Sequence, residues 1–285
     1  MKRAILNEVL SRKPEVPLYH YTSQSGLLGI IDKREIWATH TQYLNDRREY
    51  LLALELVQNE IDALRATVNE EDRNVLDDMK NGLSGVEKMN VCVCSFSEEQ
   101  DSLSQWRAYG AGSSGFAIGF PGDFLAEIAE REHWYFAPCI YEPTRQGSLI
   151  RALVEEVFEE NVHRKNTDAG GEDPPPLGGS LCAYLNRYAP ILKHSGFREE
   201  KEWRIISRPR MCSSKLFDFR EGRSMLIPYY KLRLIDQKQA FRVHEVVVGP
   251  TPNPQQSTAS VSSFLVRHDL GKVPVKLSKV PYRNW

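Results

Sequence analysis

Two glutamates two positions apart, Glu200 and Glu202, stand in the run Phe197-Arg198-Glu199-Glu200-Lys201-Glu202-Trp203-Arg204-Ile205-Ile206. The Trp-Arg-Ile-Ile portion reads as a strand entering a sheet, and residues two apart on a strand share a face. Glu200 and Glu202 are therefore expected to point the same way. Two carboxylates at the mouth of a strand can divide work between holding a substrate and stabilising charge. An exposed strand start with alternating charge accounts for the same residues. Three further places carry reactive or ligand-gripping side chains. His20 lies near the end of the strand Leu18-Tyr19-His20-Tyr21, beside Thr22 and the start of a helix. A helix N-terminus favours an anion, so His20 and Thr22 are candidates for bonds to a sugar or phosphate. The alternative is a histidine satisfied by backbone that merely packs. Ser95 and Ser97 flank Phe96 where another strand runs into a polar loop. Finally, a short helix presents Gln105, Trp106, Arg107 and Tyr109. Trp and Tyr stack on flat rings, and Arg grips phosphate.

The elements that must position these groups follow from hydrophobic spacing. Apolar residues at helical intervals predict helices over 2–12, from Thr22 or Ser23 to Ile31, 46–66, 70–88, 121–131, 144–165, 181–194 and 254–267. Strands are expected at 18–21, 35–39, 90–97, 115–120, 134–141, 203–206, 214–219, 224–234, 243–249 and 273–280. Asn45 or Asp46 is a natural N-cap, and Glu49 follows Asp46 at the spacing of a capping box. The glycines of Gly110-Ala111-Gly112-Ser113-Ser114-Gly115 lack the Lys-Ser/Thr of a P-loop and feed the next strand. The stretch 167–180, with Pro174-Pro175-Pro176, is expected to be a flexible surface loop. Together these predict one α+β domain over 1–285, with a mixed, mostly antiparallel sheet flanked by helices and a helical excursion at 46–88.

Composition excludes several function classes. With a net charge of −1, no global field draws the chain to nucleic acid or membrane. Between Lys201 and Arg233, nine Lys/Arg face three Asp/Glu, which suits either a local anion-binding surface or a solvated sheet edge. No apolar run nears the roughly 20 residues of a membrane span. The first residues lack a signal-peptide core. Five cysteines make an odd number without a disulfide framework. A cytoplasmic location is the expectation from these facts. Cys92 and Cys94 form a lone C-x-C, short of the four ligands structural zinc takes, and no metal site is expected.

Tyr19-His20-Tyr21-Thr22-Ser23, Leu44-Asn45-Asp46, Ser95-Phe96-Ser97, Gln105-Trp106-Arg107, Gly115-Phe116-Ala117-Ile118-Gly119-Phe120, Glu200-Lys201-Glu202-Trp203-Arg204 and Val248-Gly249-Pro250 occur in this order. The set resembles a widespread bacterial domain-of-unknown-function family over nearly the whole chain. The order of His on a first strand, Ser-x-Ser ending a later one, then Glu-x-Glu also resembles the three-part signature of ADP-ribosyltransferases. That resemblance implies an ADP-ribosyltransferase-like split two-sheet core with the site in the cleft between. It implies NAD as substrate, with His20 and Thr22 holding its ribose or amide and Ser95 and Ser97 supporting the site. Glu202 would stabilise the oxocarbenium-like ribose, and Glu200 would orient or activate an acceptor. Arg107 or Arg204 would pair with the pyrophosphate. The acceptor is a nucleic acid, a protein or water.

Two rival readings stand beside this one. In the first, Trp106, Tyr109 and the basic strands bind a nucleotide-like ligand without turning it over, as a sensor or interaction module in bacterial stress or phage defence. The second is a metal-dependent nuclease using Asp46, Glu49, Asp101 and Glu202, since two-metal chemistry needs clustered carboxylates.

Overall fold

The computed structural model describes residues 2–44, 48–84, 90–109, 115–167, 178–210, 214–222 and 224–282; the side chains of Arg48, Glu49 and residues 178–180 fall outside the description. The expected cap at Asn45 and Asp46, the glycine loop 110–114 and residues 168–177 of the 167–180 stretch lie outside it.

Helix α1 (Lys2–Ser11) is followed by β1 (Leu18–Thr22), α2 (Gln24–Lys33) and β2 (Glu35–His40). Ser23 caps α2 by accepting the Gly26 N–H at 3.2 Å, and Arg34 ends it in the left-handed region at φ 53°. The polar excursion folds as α3 (Arg48–Arg65) and α4 (Glu70–Gly82). Asn69 caps α4, and Glu70, Glu71 and Asp72 set negative charge against the positive end of its dipole. Then come β3 (Cys92–Ser97), α5 (Leu103–Tyr109), β4 (Phe116–Phe120), α6 (Gly122–Arg131), β5 (Tyr135–Pro138) and α7 (Pro143–Thr167). Helix α8 (Gly178–Tyr188) leads through 3-10 turns at Ala189–Ile191 and Ser195–Glu200 into β6 (Glu202–Ile206). The chain closes with β7 (Phe217–Glu221), β8 (Leu226–Arg233), β9 (Glu245–Val248), α9 (Pro254–Arg267) and β10 (Val275–Leu277).

The fold is α+β. Its ten strands join one open sheet in the order β10-β9-β4-β1-β3-β2-β8-β7, with β6 and then β5 branching from β3. All pairings are antiparallel except β9 with β10. The pairings connect every strand, so the architecture is a single branched sheet rather than two separate ones. Its branch point is β3. One edge of β3 pairs with β6 from Val93 to Ser97. On the other edge β1 pairs only at Ser97, through Tyr19, and β2 only at Cys92 and Val93. Between them Cys94, Ser95 and Phe96 have no ladder partner on that edge among the described residues, and the sheet opens there as a fork.

Alternation sorts the side chains. Val93 and Ile206 face α1, α3, α4, α7 and α8 in one core; Leu18, Phe96, Trp203 and Ile205 face α2, α6 and α9 in another. Tyr19 and Tyr21 point away from Leu18 and pack with Trp106, Ala117 and Val247. Among the described residues, no helix is long and apolar enough to cross a membrane.

Candidate functional site

A cavity opens at the fork. It is lined from β1 by Tyr19, His20 and Tyr21, from β3 by Ser95, Phe96 and Ser97, from α5 by Gln105 and Tyr109, and by Glu200 and Glu202. His20 shares the Leu18 side of β1, whereas Tyr19 and Tyr21 lie on the other. Residues from both faces of one strand line the same space because the ladder is missing beside them. The empty space is about 320 Å³, including the part open to solvent. The enclosed part is only about 40 Å³, far below the roughly 300–1,000 Å³ that takes in a whole small ligand, so the fork admits one group of a ligand and leaves the rest outside.

The missing ladder also explains the bond made by His20. Its Nδ1 lies 3.0 Å from the Ser95 carbonyl, an acceptor left over at the fork. Nδ1 therefore carries the proton, and Nε2 is the acceptor of the neutral ring. Burial lowers the histidine's proton affinity, and the Ser95 carbonyl only partly opposes it. Ser97 works through its hydroxyl: Oγ donates to the Glu200 carbonyl at 2.6 Å and accepts the Glu99 N–H at 3.0 Å.

Glu200 and Glu202 meet, though not as the strand spacing suggests. Glu200 ends a 3-10 turn, Lys201 adopts the left-handed region at φ 40°, and the strand begins only at Glu202. The expectation that both carboxylates share a strand face is corrected accordingly: a lysine gathers them. Lys193 Nζ donates to Glu200 Oε2 at 2.5 Å and also to Glu202 Oε2. Arg204, two residues along β6 on the same face, grips Glu202 through Nε at 2.7 Å and Nη2 at 3.1 Å. Its Nη1 donates to the Pro190 carbonyl at 2.6 Å. The Glu202 N–H donates to the Tyr141 hydroxyl at 2.8 Å. Gln146 fixes the lysine's backbone by donating to the Lys193 and Ile140 carbonyls at 2.8 and 2.7 Å.

The two carboxylates differ in proton affinity. Burial alone would raise both. At Glu202, Arg204 and Lys193 outweigh burial and hold the carboxyl well below its usual range. At Glu200, burial and the Glu202 charge prevail over Lys193, and its proton affinity rises. Desolvation and then the Glu202 and Glu200 carboxylates push the Tyr109 phenol up to about 12, so it stays protonated.

The other expected ligand-binding side chains stand elsewhere. Thr22 does not line the cavity; its hydroxyl sits against Gly26, where an added Cβ would lie 1.9 Å from Oγ1. Trp106 is not free to stack on a ligand. Its ring is 2% exposed, meets Tyr21 edge-on at 4.7 Å and donates Nε1–H to Asp101 Oδ1 at 2.7 Å. Arg107 is exposed on α5, with its guanidinium 5.5 Å from the Tyr282 ring. Arg204 is spent on Glu202 and Pro190 rather than directed at a pyrophosphate. Of the nuclease set, Asp101 accepts from Trp106, from Ser278 Oγ at 2.5 Å and from the Lys279 N–H at 2.7 Å, which ties the C-terminal segment over α5. Asp46 and the Glu49 side chain lie outside the described residues. Among the described residues, no three His, Cys, Asp or Glu side chains gather as metal ligands.

Lys193, Tyr141 and Gln146 were not expected from sequence. A lysine closing the apolar pair Ile191-Leu192, just ahead of an acidic run, is the local signal that would have found the first. Gln105 stands on the expected helix, and the sequence assigns it no role.

No curated protein and no solved structure matches the chain. A family described as Protein of unknown function (DUF2971) matches residues 105–205, narrower than the near-complete resemblance of the motifs; the matched stretch runs from Gln105 on α5 to Ile205 on β6 and includes Lys193, Glu200 and Glu202.

Proposed function

We propose that the fork cavity cleaves the nicotinamide–ribose bond of NAD, as an ADP-ribosyltransferase or NAD glycohydrolase built on an ADP-ribosyltransferase-like sheet. The observation that carries this reading is that His20, Ser95, Ser97, Glu200 and Glu202, far apart in the chain, line one cavity. The bond between ribose C1′ and the ring nitrogen breaks with its electron pair going to nitrogen. The ring thereby loses its positive charge, and nicotinamide leaves neutral. Positive charge develops on the ribose, where a carboxylate is worth most in the transition state. Glu202 stays ionised for that purpose, although Arg204 and Lys193 offset part of its field. The oxygen of the acceptor, water or a macromolecular hydroxyl, then bonds to C1′ and gives up its proton. Glu200, with its raised proton affinity, is suited to take it.

The test is nicotinamide release from NAD by the purified chain, with DNA, RNA and protein offered as acceptors. Release by wild type and a loss of about 10²–10⁴-fold in Glu200→Gln is the expected result. Glu200→Gln is the better probe, because Glu202→Gln also leaves Arg204 buried without its partner.

A second reading draws on the ion network itself. Both Glu202 oxygens are already paired, so the site also suits a sensor that holds a nucleotide-like ligand without turning it over. NAD binding without nicotinamide release would favour it.

A further inference from the structure

The charged groups at the fork satisfy one another, whereas several neutral ones do not. Gln105 is 7% exposed and lines the cavity, yet its side-chain amide bonds to none of the described residues. The same holds for the Tyr109 hydroxyl and Ser95 Oγ, and the His20 ring keeps Nε2 as an acceptor. An amide on a cavity wall with no protein partner is left for water or a ligand to pair with. Asp101 and the edge-on Tyr21 ring hold the neighbouring Trp106, which fixes the turn of α5 that carries Gln105. No Lys or Arg is among the described residues lining the cavity, while Glu200 and Glu202 both are. A phosphate or carboxylate would meet two carboxylates there whose cations, Lys193 and Arg204, are already engaged with them.

We propose that Gln105 is the specificity-determining residue of this cavity: its amide reads a planar, non-anionic group that presents a hydrogen-bond donor beside an acceptor. A primary carboxamide on a ring has that pattern, and so does a nucleobase edge. An amide offers a complementary donor and acceptor to either, and the phosphates of the same ligand remain outside the fork. This rests on the nucleotide-like ligand of the preceding reading but not on any turnover of it.

The experiment measures binding of three mononucleotides by calorimetry: nicotinamide mononucleotide, its carboxylate analogue nicotinic acid mononucleotide, and adenosine monophosphate. The proteins are wild type, Gln105→Met and Gln105→Glu, with nicotinamide release from NAD recorded alongside. Wild type is expected to bind the carboxamide form about tenfold tighter than the carboxylate form, and Gln105→Met to lose about tenfold for the carboxamide. If the loss in Gln105→Met falls on adenosine monophosphate instead, the base edge is the group read, and the proposal stands. Unliganded Gln105→Met is expected to melt no lower than wild type, since an amide without a protein partner is replaced by an apolar chain of similar length. A fall of several degrees would assign Gln105 a structural role and overturn the proposal. So would equal binding of carboxamide and carboxylate without any loss for adenosine monophosphate in Gln105→Met, or unchanged affinities in both variants. Should NAD still be cleaved in that last case, the glycosidic reading survives alone. Selective binding without cleavage leaves Gln105 standing and removes the enzyme. No binding of any of the three overturns both.

Discussion

The two polar walls of the fork cavity are built on opposite principles. On the β6 wall, Glu202, Arg204, Lys193 and Glu200 form a closed set in which each charge has a partner within hydrogen-bond reach. On the α5 wall, Gln105 and Tyr109 carry no charge and bond to none of the described residues. The first wall is complete without a ligand, and the second is not. Charge taken out of water must be paired in the folded state, or several kcal/mol are lost. A neutral amide or phenol at the rim of a cavity carries a smaller penalty and can wait for a ligand. The difference teaches where stability and selectivity lie: the β6 wall holds the fold around the fork, and the α5 wall chooses what enters.

The strongest way to break this contrast is Arg204→Met. It leaves the Glu202 carboxylate, 5% exposed, with Lys193 as its remaining cation among the described residues. Removing one partner of a buried pair costs about 3–5 kcal/mol, read as a lower urea midpoint. A loss under about 1 kcal/mol would mean that water reaches the pair and the wall is not closed.

Acid sharpens the same contrast. The Glu202 carboxyl falls from the ordinary 4.5 to about 2 in the folded chain, so its contribution is fully present above 4.5 and is lost as pH falls toward 2. Glu200 has the opposite sign. Its folded-state proton affinity is raised, so protonation on acidification favours the folded state and offsets part of that loss. The melting temperature of wild type is therefore expected to drop more steeply below pH 4.5 than that of Glu202→Gln. Parallel profiles would refute the assigned ionisation of Glu202.

Much of the fold was legible because burial imposes periodicity. Leu18 and Tyr21 on β1 and the uniformly buried β4 follow from apolar patterning, and a cap at Thr22 or Ser23, of which the structure uses Ser23, follows from their place before an apolar helix. The site was legible only in its residue types. Nothing local required Lys201 to turn left-handed, so Glu200 was read as part of a strand. Trp106 was read as a stacking surface, although Asp101, five residues earlier, already takes its indole N–H. Lys193 acts through tertiary contacts, and no short-range spacing encodes a lysine reaching two glutamates past a 3-10 turn. The fork itself depends on how far β1 and β2 each pair along β3, which alternation within a single strand does not record.

Gly249→Ala tests how rigidly the α5 wall is held. A Cβ there would lie 2.8 Å from the Gly115 carbonyl oxygen and 2.9 Å from the Trp106 ring. The backbone carbonyl has little room to yield, so the ring and its helix must shift. Overpacking of this kind costs about 1–3 kcal/mol. Because Trp106 follows Gln105 directly on the helix that also bears Tyr109, ligand affinity should fall along with stability. Loss of stability with unchanged mononucleotide binding would show that the α5 wall does not depend on the seat of its tryptophan.

The smallest expected effect belongs to the residue that joins the walls. Ser97 Oγ donates to the Glu200 carbonyl and accepts the Glu99 N–H, linking the 3-10 turn of the acidic wall to the loop that leads into α5. Tyr21 holds the same loop, donating to the Glu99 carbonyl at 2.7 Å and accepting the Ser102 N–H at 3.0 Å. Ser97→Ala removes one link and leaves the other, so the cost is about 1 kcal/mol. Its signature is local. The Glu99 N–H loses its acceptor, and its hydrogen exchange is expected to quicken while amides in β6 keep their protection. Faster exchange across both β6 and α5 would mean that the two walls open as one unit, and the division between a closed ionic wall and an open neutral one would not hold.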